Sequence, residues 1–435
     1  MTHFDSSKVN RRDFLAASTG FSAAVLAAGA SAASKKKETR PKNLDLIKVG
    51  LVGAGGRGTG AAIDCIVSSP NIELVAVGDL FKDRIEGSLK RLREHKEAGK
   101  AVKVTPDTTF TGFDAYKHVL ACDIDLVILA TPPGFRPTHF DAAIKAGKHV
   151  FMEKPVAVDP VGVRVMLAAS QLADEKKLCV VAGTQRRHQQ SYLEMMKRIE
   201  DGAIGEIVGG QCYWNQGGLW VVEQKPGMSD MEWQCRNWLY FAWLSGDHIV
   251  EQHVHNIDVV NWAIGAHPVS AVGMGGRQAR VEPKYGHIYD HFTIEYEYPG
   301  GVRVTSMCRQ MAGCSNRIGE HLVGTRGVAD FLEPGKRTIT ARRSYKFEGD
   351  EPNPYVTEHA DLIDAIRSGR HINEARRVTE STMTAIMGRI SAYTGRQISW
   401  DWVMNKSQLD LSPKKLEFGA LEVPPVPVPG QTQLV

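Results

Sequence analysis

Two stretches of this chain carry side chains that could hold and move a proton. Lys154 follows a short apolar run in Glu153-Lys154-Pro155, and the stretch 245–262, SGDHIVEQHVHNIDVVNW, has helical periodicity. At about 100° per residue, one stripe of that helix carries His248, Glu251, His255 and Asp258. Titratable groups on an otherwise apolar helix are costly unless they line a site or face solvent. We therefore expect either an acid–base site or an exposed polar face.

A metal site is the third interpretation of this helix. His248, Glu251 and His255 could converge on one ion, but such ligands need a partner from elsewhere in the chain, and we find none in the sequence. We therefore predict no metal. Asp247 is the expected N-cap of the helix and Gly265 its stop.

Residues 48–79 predict the element that brings a cofactor to these side chains. A strand-like run ends at Val52, and Gly53, Gly55 and Gly58 follow in G-x-G-x-x-G spacing before a helix and a second apolar run that ends at Asp79. The N–H groups that open such a helix bind a pyrophosphate, and the carboxylate binds ribose hydroxyls while repelling a 2′-phosphate. We therefore expect NAD, with NADP as the alternative because Lys82 and Arg84 lie nearby.

The pattern over residues 47–185 alternates strand and helix. It predicts strands at 48–52, 73–78, 126–130, 149–152 and 178–182, and helices after Gly58 and at 83–96, 137–146 and 161–176. Such alternation is typical of a parallel sheet covered on both faces, with its ligand at the carboxyl ends of the strands. Lys154 and Thr131-Pro132-Pro133 each follow such a strand, so we place both at that crevice.

Beyond Gln185 the pattern changes to that of a second domain, expected over 186–400. Strands are predicted at 206–214, 270–280, 291–298, 302–309 and 320–325, with a hairpin turn at 299–301, and helices at 359–368 and 379–394. The proline-rich residues 401–435 are expected to form an extended tail. The predicted fold class is α/β: an N-terminal Rossmann parallel sheet plus a C-terminal α+β domain with an open, mostly antiparallel sheet.

Aromatic residues are dense early in the second domain. Five of the eight tryptophans lie from Trp214 to Trp243, where they could form core, the underside of a lid or a platform for the C–H faces of a sugar. We take Trp214 as a candidate for substrate binding, together with Arg187 just past the domain junction and Asp258 on the helical stripe. The alternative for Arg187 is a structural role at the edge of the sheet.

The first 33 residues have the pattern of a targeting signal, so we expect them to lie outside the folded domains. Residues 10–15, NRRDFL, carry the paired arginines of a twin-arginine signal, an Ala/Ser/Gly-rich segment follows, and 34–46 form a basic linker. We expect export to the periplasm or beyond by this route, with an uncleaved anchor as the alternative. The route carries folded proteins, so a cofactor could be loaded before export.

The composition of the chain narrows the classes of molecule that it is expected to bind. The chain of 435 residues has 53 basic and 49 acidic residues, a net charge of +4, and no long basic stripe, which argues against nucleic acid. No apolar run beyond the signal is long enough to span a membrane. The expected partner is a small molecule.

Taken together, these motifs resemble the glucose-fructose oxidoreductase and inositol dehydrogenase family. The resemblance covers about residues 47–395 and rests on GLVGAGGRG, ATPP with His139 downstream, AGKHVFMEKP, and His255-Asn256-Ile257-Asp258 followed by Trp262. It implies that Lys154 and His255 are catalytic, with Glu251 beside them, and that the chain assembles as a homo-oligomer through the second sheet. The implied cofactor contacts are Gly53, Gly55, Gly56, Arg57, Gly58, Asp79, Thr131, Pro132, His139, Glu153 and Lys154.

This chain departs from the family pattern in the helix. The family commonly shows Asp-x-Gly-x-His where residues 251–255 read EQHVH, so Glu251 adds a methylene and His253 replaces a glycine. These changes alter the expected substrate geometry and leave the reaction type open. The chain also lacks the tyrosine- and glycine-rich signature of the N-acetylgalactosaminidase-like branch.

The resemblance implies an NAD(P)-dependent oxidoreductase that transfers a hydride between a sugar or cyclitol hydroxyl and a tightly bound nicotinamide. A neutral histidine can take the hydroxyl proton while Lys154 stabilises the charge on the same oxygen, although the sequence does not decide which of them is the formal base. The alternatives are an NAD-dependent glycosidase or lyase that acts by transient sugar oxidation, and a catalytically silent sugar-binding protein.

Overall fold

A parallel sheet builds the N-terminal half of the part of the chain that the computed structural model describes, residues 45–332 and 335–435. The predicted signal peptide, 1–33, and the linker through residue 44 lie outside the described residues. The strands are β1 (Ile47–Val52), β2 (Ile72–Asp79), β3 (Thr109–Thr111), β4 (Leu126–Leu129), β5 (His149–Met152) and β6 (Val180–Ala182). Their order is β3-β2-β1-β4-β5-β6, which is that of a doubly wound sheet whose ligand binds where the order reverses, between β1 and β4.

Helices cover this sheet on both faces, which explains why its central strands are continuous apolar runs rather than alternating ones. They are α1 (Gly56–Ser68), α2 (Lys82–Glu94), α3 (Ala115–Ala121), α4 (Arg136–Lys145) and α5 (Pro160–Glu175). All four residues of β4 are buried. The sequence pattern did not predict β3 and α3, because residues 109–121 offer only a few apolar positions in elements of three and seven residues.

The second sheet has nine strands within the described residues. They are β7 (Ile207–Gln216), β8 (Ser270–Gly276), β9 (His291–Glu297), β10 (Arg303–Gln310), β11 (Arg317–Gly324), β12 (Gly327–Asp330), β13 (Thr338–Ala341), β14 (Tyr345–Lys346) and β15 (Ile398–Ser399). Their order is β14-β13-β12-β11-β7-β10-β9-β8-β15, and β7 pairs with β10 in parallel while the other pairs are antiparallel. The predicted turn at 299–301 joins β9 to β10, with Gly300 and Gly301 at φ of 78° and 77°. The predicted fold class is confirmed.

The helices of this half are α6 (Gln190–Glu200), α7 (Asp230–Arg236), α8 (Ala242–Ser245), α9 (His248–Glu251), α10 (Val254–Ile264), α11 (Pro354–Ser368), α12 (Ala375–Thr394) and α13 (Trp400–Asn405). The buried helix α12 packs on β8 and β9, whereas α11 packs on α1 beside the parallel sheet. Leu362 and Ile363 of α11 therefore belong to the apolar core of the N-terminal half.

The other face of the second sheet is open. Val272 and Met274 on β8 are 49% and 73% exposed, and Met307 on β10 is 36% exposed. The tail from residue 406 onward has neither helix nor strand. Among the described helices, none has the length and apolar character needed to cross a membrane.

Candidate active site

A cavity of about 650 Å³ runs along the carboxyl edge of the parallel sheet. It is lined by the glycine turn after β1, by Asp79 at the end of β2, by Thr131 after β4 and by Lys154 after β5. Every residue predicted to contact the cofactor lines this cavity, and so do the three predicted catalytic residues. Residues far apart in sequence meet here because parallel strands end at a common edge.

The glycine turn has the shape that a dinucleotide pyrophosphate requires. Gly53 has a φ of 97°, and a Cβ atom there would lie 2.5 Å from the Thr131 backbone nitrogen. A Cβ atom at Gly58 would lie 1.8 Å from the Gly53 carbonyl oxygen, so only glycine permits this close turn. Added Cβ atoms at Gly55 and Gly56 would meet no atom within 4 Å, which leaves the backbone open toward the cavity. These residues fit a nicotinamide dinucleotide, with the phosphates at the start of α1.

Asp79 closes the adenosine side of the turn. Its Oδ2 accepts a hydrogen bond from the Ala54 N–H at 2.6 Å, and its Oδ1 accepts one from the Phe81 N–H at 2.9 Å. Burial raises the pKa of this carboxyl group, and the two backbone hydrogen bonds oppose the rise. Each carboxylate oxygen has a second lone pair, so Asp79 can still accept from ribose hydroxyls.

The wall after β4 is held by Arg136. Its fully buried guanidinium donates to the carbonyl oxygen of Leu129 and, at 2.6 Å, to that of Thr131. His139 lies 3.2 Å from Thr131 Oγ1 and stacks on Tyr116, with ring centroids 4.2 Å apart. Burial and the Arg136 charge lower the pKa of His139 to about 3, so this ring is neutral.

Lys154 bridges the two halves of the molecule. Its Nζ donates to the Glu251 backbone oxygen at 2.6 Å and to Glu251 Oε1 at 3.1 Å. In a continuous helix that backbone oxygen would accept from the N–H of His255. Here the N–H of His255 instead bonds the Gln252 oxygen at 3.4 Å, and the single helix predicted over 245–262 is broken into α9 and α10. That part of the prediction was wrong, while Asp247 as N-cap and Gly265 as stop are confirmed.

His255 stands at the start of α10 with its ring in the cavity wall. The ring stacks on Trp214 with centroids 5.6 Å apart and planes 25° apart. Burial lowers the pKa of His255 well below its usual range, and the charges of Lys154 and Arg186 lower it further. Its Nδ1 has no hydrogen-bond partner among the described residues. A buried neutral imidazole with an unpartnered nitrogen is suited to accept a proton from a bound hydroxyl.

Two other histidines of this segment point into the protein. His253, which replaces the glycine of the family pattern, contacts Ser306 Oγ at 2.7 Å and Asn256 Oδ1 at 3.2 Å. His248 bonds Gln310 at 2.5 Å through Nδ1. Within residues 45–332 and 335–435, no group of three or more histidine, cysteine, aspartate or glutamate side chains is arranged to hold a metal ion.

The three predicted substrate-binding residues do not line the cavity. Arg187 pairs with Asp258 through two hydrogen bonds of 2.8 and 2.9 Å, and Ser381 also donates to Asp258 at 2.8 Å. The guanidinium of Arg187 lies over the Trp262 ring, 4.7 Å from its centroid. The ring of Trp214 stacks on the ring of His255. This placement favours structural roles, and substrate contact by these three remains a prediction.

Sequence reasoning missed several residues of the wall. The aromatic residues of the wall come from five separate segments and are Phe81, Phe113, Tyr116, Phe135, Trp220, Trp238 and Tyr355, of which Trp220 and Trp238 belong to the tryptophan-rich segment noted in the sequence. Arg57 lies over the Tyr355 ring at 4.9 Å and pairs with Glu153 at 2.6 Å, so α11 closes the cavity beside the glycine turn. The tryptophan density of 214–243 was the available signal, and of that segment Trp220 and Trp238 line the cavity whereas Trp214 does not.

Comparison with known proteins agrees with this geometry. Residues 47–184 match the family model described as "Oxidoreductase family, NAD-binding Rossmann fold", and residues 192–330 match the "GFO/IDH/MocA C-terminal domain". An inositol 2-dehydrogenase of Azotobacter vinelandii is 25% identical over 334 residues, 74% of this chain and 87% of that protein.

Two further relatives are named for two different reactions. A 2,7-anhydro-N-acetylneuraminate hydratase of Escherichia coli is 29% identical over 188 residues, 42% of this chain and 45% of that protein. The structure of a levoglucosan dehydrogenase in complex with NADH and levoglucosan superposes with a TM-score of 0.65 at 17% identity, over 82% of this chain and 99% of that one. At this identity the structural likeness shows the fold alone.

Proposed function

Because the chain belongs to the GFO/IDH/MocA oxidoreductase family, whose N-terminal domain is an NAD-binding Rossmann fold, we propose that it oxidises a hydroxyl group of a sugar or cyclitol with NAD. The observation that carries this proposal is that Lys154 and His255 line the same cavity as the glycine turn. The inositol 2-dehydrogenase and levoglucosan dehydrogenase relatives support a polyol as the substrate class.

The bound NAD would supply the hydride acceptor, and the chain's own residues would handle the proton and the charge. An ammonium group has three donors, and Glu251 accepts two of those of Lys154, so the third is available to an oxygen in the cavity. Lys154 thus holds the substrate oxygen and stabilises the negative charge that develops on it. The neutral ring of His255 accepts the hydroxyl proton.

Glu251 positions Lys154 through both its backbone and its carboxylate. The ion pair also leaves the cavity near charge balance around Lys154, which suits a neutral polyol better than an anionic one. The extra methylene relative to the family aspartate is used to bring the carboxylate within 3.1 Å of Nζ.

A single-turnover experiment tests this function. Protein loaded with one equivalent of NAD⁺ is mixed with myo-inositol, glucose or levoglucosan, and the near-ultraviolet absorbance of NADH is followed. We expect the band to grow with at least one polyol. A protein that binds NAD⁺ and yet yields no NADH with a broad panel of sugars and cyclitols would contradict the proposal and favour a catalytically silent binding protein.

A second candidate function has its own support. A bound dinucleotide that accepts a hydride and then returns it would allow elimination or glycoside cleavage without net oxidation. The hydratase relative, and the change from Asp-x-Gly-x-His to EQHVH over residues 251–255, favour this reading. The masses of the products from a glycoside panel separate the two functions, because cleavage leaves the summed oxidation state unchanged.

Location and assembly are further parts of the proposal. The paired arginines of residues 10–15 support twin-arginine export, after which a retained cofactor would need a second carbonyl substrate for its reoxidation. The apolar side chains on the open face of the second sheet, Val272, Met274 and Met307, support a homo-oligomer formed through that face. Native mass spectrometry of the mature protein measures bound nucleotide and subunit number together.

A further inference from the structure

A third apolar cluster, apart from the cores of the two sheets, covers the end of the cavity where Asp79 stands. Its buried members come mainly from residues 231–244, the centre of a segment that we call the cap, residues 217–245. Three other segments pack against them: the loops of the parallel sheet with Leu80, Phe81, Phe113 and Phe135, the loop before β9 with Ile288, and the tail with Leu411, Leu421 and Val423. Residues from both halves of the molecule and from the tail thus meet over one end of the cavity.

Arg236 fastens the cap to the parallel sheet. Its two terminal nitrogens pair with both carboxylate oxygens of Asp83, at 3.0 and 3.1 Å. Its guanidinium lies over the Phe81 ring, 3.8 Å from the centroid, and both residues line the cavity. Because Phe81 and Asp83, at the start of α2, follow Asp79 closely in sequence, this contact is made beside the carboxylate that would hold the adenosine.

The tail fastens the cap from outside. We call residues 406–435 the arm. The ring of Phe418 contacts Phe81 and Phe113, with centroids 6.0 and 5.4 Å away. The arm also bonds the cap through its backbone, since Met231 N–H donates to the Gly419 oxygen at 3.1 Å and Gln234 donates to the Leu421 oxygen at 2.8 Å.

The far end of the arm is anchored on the second half of the molecule. Tyr289 Oη donates to the Pro427 oxygen at 2.8 Å, and the Gly430 N–H donates to the Thr394 oxygen at 3.0 Å. Before Phe418, the Leu411 N–H donates to Asp159 Oδ2 at 2.9 Å, so the arm is fixed on both sides of Phe418 although it contains neither helix nor strand. A segment held in this way can keep the cap in place without an apolar core of its own.

We infer that the arm and the cap form a clasp over the adenosine end of the cleft, and that this clasp makes the dinucleotide a resident group rather than an exchanging cosubstrate. This inference rests on the proposed function for the identity of the ligand. Release past Phe81 would require the bidentate Arg236–Asp83 pair to open and the Phe418 ring to detach. Contacts that must break during opening slow dissociation more than they change association. A resident dinucleotide also suits a protein that works where free NAD is scarce.

The test measures how fast NADH leaves the full-length protein. The variants are Phe418→Ala, Arg236→Gln and the double variant, with Leu416→Ala as the matched control, since Leu416 is an apolar arm residue that is 45% exposed. Protein loaded with NADH is mixed with excess NAD⁺, and the loss of bound-NADH fluorescence gives the dissociation rate. Nucleotide retained after rapid desalting provides a second readout that does not depend on activity.

We expect the double variant to release NADH roughly tenfold to a hundredfold faster than the wild type, each single variant to release it a fewfold faster, and Leu416→Ala to match the wild type within about twofold. Phe418 is 51% exposed, so its truncation leaves the apolar cores intact. Unchanged release from the double variant would overturn the clasp and leave the proposed function standing. Failure of the wild type itself to bind NADH would overturn both.

Discussion

The segment from residue 247 to 264 carries two kinds of buried polar side chain. One kind is bonded to other protein groups and supports the fold, and the other lines the cavity and could take part in the chemistry. Asp258 has three partnering hydrogen bonds from Arg187 and Ser381. One turn earlier, His255 has an unpartnered Nδ1 within the described residues and lies in the cavity wall. Both are on the same stripe of α10. A polar side chain whose bonding capacity is filled by protein stabilises the fold, whereas one that lines a cavity and has bonding capacity left unfilled is available to a ligand.

The largest expected effect is on the rate of reaction, and it comes from replacing Lys154 or His255, which line the cavity. Replacing Lys154 by methionine or His255 by alanine should lower the single-turnover rate of NAD⁺ reduction by about 10²- to 10⁴-fold, because each removes a positioned acid–base or charge-stabilising group. Binding of NADH should stay close to wild type in both variants. The thermal unfolding midpoint should stay close to wild type in His255→Ala but fall in Lys154→Met, which leaves the buried Glu251 carboxylate without its partner. Lys145→Met is the matched control, since its side chain is 66% exposed and pairs only with Asp141 on the surface.

Asp258, whose hydrogen bonds are all made to protein groups, should respond in the opposite way, with a loss of stability and little change in rate. Asp258→Asn leaves the Arg187 guanidinium buried without its carboxylate, so we expect a loss of about 3–5 kcal/mol in the free energy of unfolding, measured by urea denaturation. The turnover rate of the folded protein should change little. Asp174→Asn, at a carboxylate that is 57% exposed, should cost less than about 1 kcal/mol. A raised KM with unchanged stability in Asp258→Asn would instead support a substrate contact.

The contrast extends to a second buried histidine. Burial opposes protonation of His188, but hydrogen bonds and charge from Asp361 and Glu374 raise its pKa to about 9. Because this folded value lies above the unfolded value of about 6.5, the stabilisation is complete below about pH 6.5 and is lost as the pH rises through about 9. We expect the free energy of unfolding to fall by an amount on the order of 3 kcal/mol across that window.

His188→Gln should remove this pH dependence, as measured by urea denaturation between pH 6 and 9.5. His255 has a lowered pKa, so its contribution changes only on the acid side and His255→Ala should leave the alkaline slope intact. A slope that persists in His188→Gln would show that other groups carry it.

The smallest effect is expected at Glu251, which belongs to both classes because it bonds Lys154 and also lines the cavity. Glu251→Asp withdraws the carboxylate by one methylene, while the backbone carbonyl still holds Lys154 at 2.6 Å. We expect kcat/KM to fall by about tenfold or less, about 1 kcal/mol. A fall as large as that of Lys154→Met would mean that the carboxylate itself takes part in the chemistry.

The sequence was sufficient for five of the six strands of the parallel sheet and for the glycine turn, because apolar runs and G-x-G-x-x-G spacing are strong local signals. It could not predict the break between α9 and α10, which depends on Lys154, a residue 97 positions away. Nor could it distinguish Asp258 from His255, since the partners of Asp258 lie on other elements.

The clasp was equally out of reach from sequence. The proline content of the tail predicts an extended segment but not the surface on which it lies. The contacts of Phe418 with Phe81 and Phe113 join residues more than three hundred positions apart in a segment without periodicity. Trp214, chosen for its place in the tryptophan-rich segment, supports His255 from behind, while Trp220 and Trp238 of that segment line the cavity.

The central proposal is that Lys154 binds the hydroxyl oxygen of the substrate and His255 accepts its proton while the hydrogen on the carbon passes to the dinucleotide. Mass spectrometry of the cofactor after one turnover with perdeuterated myo-inositol or perdeuterated glucose tests this most directly. We expect singly deuterated NADH in the wild type and in Lys145→Met, with none above background in Lys154→Met or His255→Ala over the same time. Wild-type protein that consumes either substrate without deuterium entering the dinucleotide at any time in the turnover would contradict it.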